Sequence, residues 1–460
     1  MDEILDSDAT SQLQKLASKE ISPRELMEAT LDRIEKVNPK VNAIVSLQSR
    51  EELIKKAESP LPGPLRGLPI AIKDLEETKG ITTTYGSPLF KDFNPDFDSN
   101  MVSRIKAAGA IVIGKTNVPE FGLGSHTYNP VYGKTLNPYN LKMTCGGSSG
   151  GASVALATRM VSLADGSDMM GSLRNPAAWG NIFGFRPSSG LVSKGGSAEV
   201  FFNQISTSGP MARSVRDIEL LLGIQSKLDP TDPHSYGPYK TTSKSPKNLK
   251  IGWLGDWGGS YATDPIILQR CQEALKIFED NGHHIIEASP LFSAEALWSA
   301  WTTLRSWSMS EKFRENYNNP LEKKLLKPAV VWEIEKGLAL TPEEIFKASR
   351  IRSDWFRVTA EMGFDTLVLP STQVFPFDSE LDWPTKILER EMDTYHRWME
   401  VVIPASLTGL PAISVPIGFG PENTPAGMQL IGHRRHDANI LALAKQYEQS
   451  ISFLDMKPGF

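Results

Sequence analysis

Residues 143–176 read MTCGGSSGGASVALATRMVSLADGSDMMGSLRNP. The stretch carries two serine-bearing glycine turns, Gly146-Gly147-Ser148-Ser149-Gly150-Gly151 and Gly171-Ser172, and it sets Ser148 and Ser172 24 positions apart. Glycine lets the backbone take positive φ and brings amide groups close to a ligand. A serine hydroxyl in such a turn is therefore placed to react, with N–H donors around it. Upstream, Leu68-Pro69-Ile70-Ala71-Ile72-Lys73-Asp74 puts a lysine at the end of an apolar run. One lysine and two serines can serve as base, relay and nucleophile.

Around this centre, short apolar segments alternate with helical ones. Residues 70–72 and 111–113 read as buried strands, 102–108 and 152–160 as helices, and 161–163 as a further strand. The alternation predicts an α/β fold whose mixed, mostly parallel central sheet is covered by helices on both faces. Residues 7–37 read as helical. Within them Ser22-Pro23-Arg24-Glu25 offers a capping serine, a proline at the first helical position and a glutamate at the third. Met27, Leu31, Ile34 and Val37 then form one apolar stripe.

Residues 226–248, rich in Ser, Pro, Thr and Lys, read as a long surface connection. A strand restarts at 249–253, and Asp264-Pro265 opens a helix closed by Gly282. Residues 290–400 are mostly helical in composition and hold seven of the ten tryptophans. The first reading of these is aromatic packing of a helical layer onto the sheet; a pocket wall for an apolar acyl group is the functional alternative. Strand patterns return at 366–370, 412–419 and 428–431, before a last helix near 437–450. The expected organisation is one domain over residues 1–460, with core motifs at 67–190 and 365–460 and a variable Trp-rich region at about 290–400.

Composition bounds the function. With 460 residues, 40% hydrophobic and 22% charged, the chain has the balance of a soluble globular protein. A net charge of −5 gives no basic footprint for nucleic acid. Two cysteines, Cys145 and Cys271, argue against a disulfide scaffold and suit a reducing cytoplasm. The start MDEILDSDAT lacks a signal peptide's basic and apolar regions, and no apolar run is long enough to span a bilayer. A cytoplasmic protein is expected, with neither membrane nor nucleic acid as partner.

A serine hydroxyl needs a base to become a nucleophile. None of the seven histidines sits in a matching motif; His126, in Gly124-Ser125-His126, reads as a surface or supporting residue. Lysine can take the role if burial keeps it neutral, and the apolar run before Lys73 suits that burial. The bland alternative pairs Lys73 with Asp74 or another carboxylate. Cys145 reads as a small buried residue. The glycine run could be a linker or an anion-binding turn, but no Gly-Lys-Ser/Thr ending makes it a P-loop. No His, Cys or carboxylate cluster has metal-ligand spacing, so neither metal nor cofactor is expected.

Five pieces in order carry a family resemblance: Gly67-Leu68-Pro69-Ile70-Ala71-Ile72-Lys73-Asp74, Gly114-Lys115-Thr116-Asn117, the 146–151 turn, Ser167-Asp168 through Gly171-Ser172 with Arg174, and Gly409-Leu410-Pro411-Ala412-Ile413-Ser414-Val415-Pro416. With them the chain resembles the amidase signature family of Ser-Ser-Lys amidases, from about residue 22 to the C-terminus and least in the middle. The resemblance implies Ser172 as the acyl-forming nucleophile, Ser148 as the bridging serine after a cis peptide bond, and Lys73 as the base. It implies an oxyanion hole from the backbone of Met169, Met170 and Gly171 up to Ser172, with Asp168 and Arg174 supporting the turn. The family pattern has two glycines before the nucleophile, whereas Met170 stands at the first of these positions. A methionine would be strained there if that position needed positive φ.

The implied activity is hydrolysis of a small-molecule carboxylic amide to carboxylate and ammonia or amine. Two alternatives stand beside it: the glutamine-hydrolysing component of a tRNA-dependent amidotransferase, and a non-catalytic binding protein on the same fold. A homodimer is left open, and the substrate is not readable from the chain.

Overall fold

The computed structural model describes residues 2–59, 62–197, 199–202, 204–288, 290 and 292–460. An eleven-stranded sheet runs through them. In chain order its strands are β1 (Ile44–Val45), β2 (Pro69–Lys73), β3 (Ile111–Thr116), β4 (Leu163–Asp168), β5 (Phe183–Arg186), β6 (Thr207–Ala212), β7 (Lys250–Trp253), β8 (His284–Glu287), β9 (Thr366–Pro370), β10 (Ala412–Phe419) and β11 (Pro425–Gly432). Their spatial order is β1-β3-β2-β4-β6-β5-β10-β11-β9-β7-β8.

The expected mixed α/β sheet is present, with four parallel and six antiparallel strand pairs where the sequence predicts mostly parallel pairing. Its parallel pairs lie in two wings, β3–β2–β4 and β9–β7–β8, while antiparallel pairs run through the middle and add β1 at the edge. A parallel pair needs a crossover connection, and the helices Asn100–Ala107 and Pro265–Asp280 supply it for β2 to β3 and for β7 to β8. Side chains of β2 alternate between two cores: Ile70 and Ile72 pack in one, Ala71 in another. Burial on both faces explains why this strand reads as an unbroken apolar run.

The helix Pro23–Val41 begins with the anticipated capping box, Ser22 with Glu25, and its stripe of Met27, Leu31, Ile34 and Val37 is buried. The helical stretch expected from residue 7 is broken, however, because Ala9–Ser18 ends on Lys19 in the left-handed region. Residues 226–248 carry neither helix nor strand. The strand expected at 161–163 begins instead at Leu163 and continues to Asp168. Its polar residues Asp165, Ser167 and Asp168 look like loop in the sequence, yet Ser167 and Asp168 find partners inside the fold, and Asp165 does so through Oδ1 while its Oδ2 has none among the described residues. β4 leads directly into the turn that carries Ser172.

The helices Ala294–Lys312, Pro328–Leu338 and Pro342–Glu361 lie in the Trp-rich region. Trp298, Trp301, Trp355 and Trp398 are buried in one cluster with Met170 and Trp179, and Trp179 stacks on Trp398 at 5.7 Å between centroids. Most of these tryptophans therefore pack the helical layer. Among the described residues, no helix is long and apolar enough to cross a membrane.

Candidate active site

Lys73 ends β2 with its side chain wholly buried. Its backbone N–H donates to Asp165 Oδ1 at 2.9 Å, which fixes the end of β2 against β4. Its Nζ lies 2.8 Å from Ser148 Oγ, 2.8 Å from Ser149 Oγ, 3.0 Å from Ser167 Oγ and 3.3 Å from the Ser167 carbonyl. Burial pushes the ammonium down to about 7, against the opposing pull of Asp165, Asp168 and Glu76. The bland pairing of Lys73 with Asp74 is not formed. Asp74 instead accepts from the Thr84 N–H at 3.0 Å and the Thr84 hydroxyl at 2.5 Å.

The peptide between Gly147 and Ser148 is cis. Residues 125–127 clamp it: the Ser125 hydroxyl donates to the Gly147 carbonyl at 2.7 Å and accepts from the Gly147 N–H at 3.1 Å, and the Thr127 hydroxyl donates to the Gly146 carbonyl at 2.7 Å. The helix Gly150–Ala157 then leaves the turn with every residue buried. Gly151 is required by close approach, because a Cβ there would lie 2.3 Å from the Asn117 nitrogen.

Ser172 is brought beside this turn, with its carbonyl accepting from the Ser149 N–H at 3.3 Å. Among the described residues, no hydrogen bond joins the Ser148 and Ser172 hydroxyls; a staggered rotation about χ1 is the motion available to each. The positive φ of the Ser172 turn falls on Gly171, at 78°, and Met170 does not share it. The strain that a methionine could have caused is therefore absent.

The Gly171 N–H donates to Asp168 Oδ1 at 2.8 Å, and the Leu173 N–H to Asp168 Oδ2 at 3.2 Å. The Gly171 amide is thus engaged. Among the described residues, the amides of Met169, Met170 and Ser172 make no hydrogen bond. Those three, rather than a set including Gly171, are the donors left open at the turn.

Asp168 is anchored from the other side by Arg174 at 3.0 Å and Arg186 at 3.2 Å, all three side chains being fully buried. Burial alone would raise the Asp168 carboxyl, but the two guanidinium groups hold it below the ordinary carboxylate range. Arg174 extends the frame to Gln429 Oε1 at 2.6 Å on β11 and to the Ser406 hydroxyl at 2.6 Å.

Cys145 and His126 are both buried. Burial pushes the Cys145 thiol up to about 12, so it stays protonated. His126 is buried and pushed down to about 4, chiefly by that burial. Its Nε2 lies 3.1 Å from the Ser379 carbonyl, which can only accept, so Nδ1 is the acceptor from the Thr144 hydroxyl at 2.7 Å. Both ring nitrogens are occupied. Among the described residues, no group of three or more His, Cys, Asp or Glu could hold a metal ion.

Sequence reasoning assigns no role to Ser125, Thr127, Ser149, Asp165, Ser167 or Arg186. The doubled serine was a usable signal for Ser149. Arg186 reaches the turn only through the sheet, and no local pattern marks it.

The class these features define is that of amide-hydrolysing enzymes. The chain matches the profile of the Amidase family over residues 25–441, and it belongs to that family. It is 33% identical to an acylamidase of Rhodococcus erythropolis, with 98% of this chain and 97% of the relative covered. It is 32% identical to a glutamyl-tRNA(Gln) amidotransferase component of Thermus thermophilus, with 96% and 97% covered. Among solved structures, it is similar to a bacterial aryl acylamidase of the amidase signature enzymes, with a TM-score of 0.89, 27% identity and 99% of each chain covered.

Proposed function

We propose that this amidase hydrolyses a carboxylic amide to a carboxylate and ammonia or an amine through an acyl-enzyme on Ser172. The observation that carries the reading is the wholly buried Lys73 amine at 2.8 Å from Ser148 Oγ, with its pKa brought to about 7. A neutral amine accepts the Ser148 proton, Ser148 takes the proton of Ser172, and Ser172 Oγ attacks the amide carbon. The open amides of Met169, Met170 and Ser172 receive the oxyanion, a role for main-chain donors that needs no particular side chain. The relay then returns a proton to the leaving nitrogen, and water releases the acyl group along the same path in reverse.

The test is release of ammonia or amine from a panel of aliphatic, aryl and indole-type amides, with Ser172→Ala as the control. Turnover by the parent and none by the variant is expected, together with labelling of Ser172 by a fluorophosphonate. Normal turnover by Ser172→Ala would overturn the mechanism.

The similarity to the Thermus thermophilus amidotransferase component, nearly equal in identity and coverage to that of the acylamidase, favours a second reading as a glutamine-hydrolysing member of a larger complex. Glutamine as the sole substrate, with partner proteins co-purifying, would select it. Both cysteines are free and buried, which supports a reducing cytoplasm as the working compartment.

A further inference from the structure

A cavity of about 430 Å³ is lined in part by Ile205, Leu304, Trp307, Phe202, Lys312 and Arg352. Its size is that of a small-molecule site. Its walls connect to the Ser172 turn through intervening residues. Ile205 and Leu304 pack in the same cluster as Met170, which stands two residues before Ser172. Arg186 donates both to the Asp168 carbonyl and to the Ile205 carbonyl. Arg305, next to Leu304, reaches Met169 Sδ at 3.2 Å.

The walls divide by chemistry. One side is apolar and aromatic, with Phe202 set edge-on to Trp307 at 5.8 Å between centroids. The charged groups are not equivalent. Glu311 is engaged by Arg314, and Glu199 accepts from the Phe201 and Phe202 N–H groups at 2.7 and 2.9 Å. The two cations have no such partners: among the described residues, neither Lys312 nor Arg352 forms a hydrogen bond or an ion pair, and Lys312 only lies 5.4 Å over the Phe313 ring. The charges around them are mixed: Glu77 and Glu76 favour the charged form of Lys312, whereas Arg434 disfavours that of Arg352. Removal from water pushes Lys194 down to about 7, and the charges of Arg186, Lys312 and Arg352 push in the same direction against Asp232.

We propose that this cavity is a specificity site for amide substrates whose far end bears a carboxylate, the apolar body lying on Trp307 and Phe202 and the anion meeting Arg352 and Lys312. A guanidinium presents a planar fork that matches a carboxylate, and Lys312 adds a point charge. The proposal rests on the amide-hydrolysing reading and adds the class of substrate to it.

Matched pairs of amides test it. One pair carries the charge on the acyl side, 4-carbamoylbenzoate against 4-methylbenzamide. The other carries it on the amine side, 4-acetamidobenzoate against 4-methylacetanilide. In at least one pair, kcat/KM should favour the charged member about tenfold or more, the size of a charge-assisted hydrogen bond. Arg352→Gln should bring that ratio towards one through KM, and Arg352→Gln with Lys312→Gln should bring it closer still. Both positions lie on helix surfaces, so the variants keep the fold. Equal rates within both pairs, or a preference that survives the double substitution, would overturn the proposal.

Binding separates this failure from failure of the hydrolytic reading. Even a protein that turns over none of the four amides should show saturable quenching of tryptophan fluorescence by 4-carbamoylbenzoate or 4-acetamidobenzoate, lost in Arg352→Gln. No saturable quenching of the parent by either ligand would overturn the site itself.

Discussion

Lys73 Nζ lies 2.8 Å from Ser148 Oγ, inside a ring of three serine hydroxyls completed by Ser149 at 2.8 Å and Ser167 at 3.0 Å. An ammonium donates three hydrogen bonds, whereas a neutral amine donates two and keeps a lone pair. In the neutral state one of the three hydroxyls must turn its proton towards the nitrogen. Ser148 is the one positioned by the clamped turn. Removing the amine should therefore abolish activation while leaving the turn clamped by Ser125 and Thr127. Lys73→Ala is expected to lower kcat by roughly 10²- to 10⁴-fold. Lys73→Arg should not restore it, because a guanidinium stays protonated. Turnover by the arginine variant near the parent rate would show that the position needs only a positive charge.

Ser149 shares the lysine but not the role. Its N–H holds the Ser172 carbonyl, so its main chain does the positioning and its hydroxyl only solvates Lys73. Ser148→Ala should lose about 10²-fold or more in kcat. Ser149→Ala should lose clearly less, since one donor–acceptor contact of the amine goes and its backbone contact stays. Equal losses in the two variants would show that either hydroxyl can carry the proton.

The pH dependence has two signs. The folded Lys73 titrates at about 7 and the ordinary lysine at 10.5. Between these values the unfolded chain binds the extra proton, so this group makes stability rise with pH across that window and gives no slope below it. Burial raises Asp165 to about 6 and Glu76 to about 7. For those carboxyls the folded state binds more protons, and their contribution is lost as pH rises towards the folded values. Activity follows the base. The ascending limb of kcat/KM should lie near pH 7, as a property of the Lys73, Asp165 and Glu76 cluster together. Glu76→Gln removes a negative charge that favours the ammonium, so the limb should move to lower pH. A limb unmoved by that substitution would place Glu76 outside the cluster.

The pattern of the sequence reaches some of this site and stops at a definite physical boundary. Lys73 at the end of an apolar run and the two serine turns are local features, and the fold brings Lys73 onto Ser148 and the two turns side by side. Asp165 and Ser167 were invisible because polar residues in a strand read as loop, and only tertiary partners make them tolerable there. Arg186 meets Asp168 across β6, which lies between their two strands, a contact that depends on sheet order rather than spacing. Met170 looked like a source of strain because its neighbour's backbone could not be read; the left-handed position is Gly171.

Asp168 with Arg174 and Arg186 forms a buried charge cluster that holds the nucleophile turn by two amides. Asp168→Asn would leave two guanidinium groups in the interior without their anion. Breaking a buried pair in this way costs about 3–5 kcal/mol. The variant is expected to show a large fall in Tm, whereas Ser172→Ala should show little. A Tm close to the parent's would mean that Gln429, Ser406 and the carbonyls around the guanidinium groups suffice.

Gly171 tests the turn most sharply, because two independent constraints meet at it. Its φ of 78° disfavours any side chain, and a Cβ there would stand 2.5 Å from Asn175 Oδ1. Asn175 has little freedom to yield: its N–H donates to the Gly171 carbonyl at 2.6 Å and its side-chain amide to the Ser125 hydroxyl at 3.3 Å. Gly171→Ala should therefore displace the turn and the Ser125 clamp together. Strain of this kind amounts to about 1–3 kcal/mol. It is expected to appear as a reduced Tm and as a fall in kcat larger than the change in KM, because the amides on both sides of Gly171 are those left open for the oxyanion. Replacing Met170 with glycine at the preceding position, by contrast, relieves no strain and should leave kcat within a few-fold of the parent. If Gly171→Ala turned over normally while Met170→Gly raised kcat strongly, the backbone requirement would lie at residue 170 and this account of the hole would be wrong.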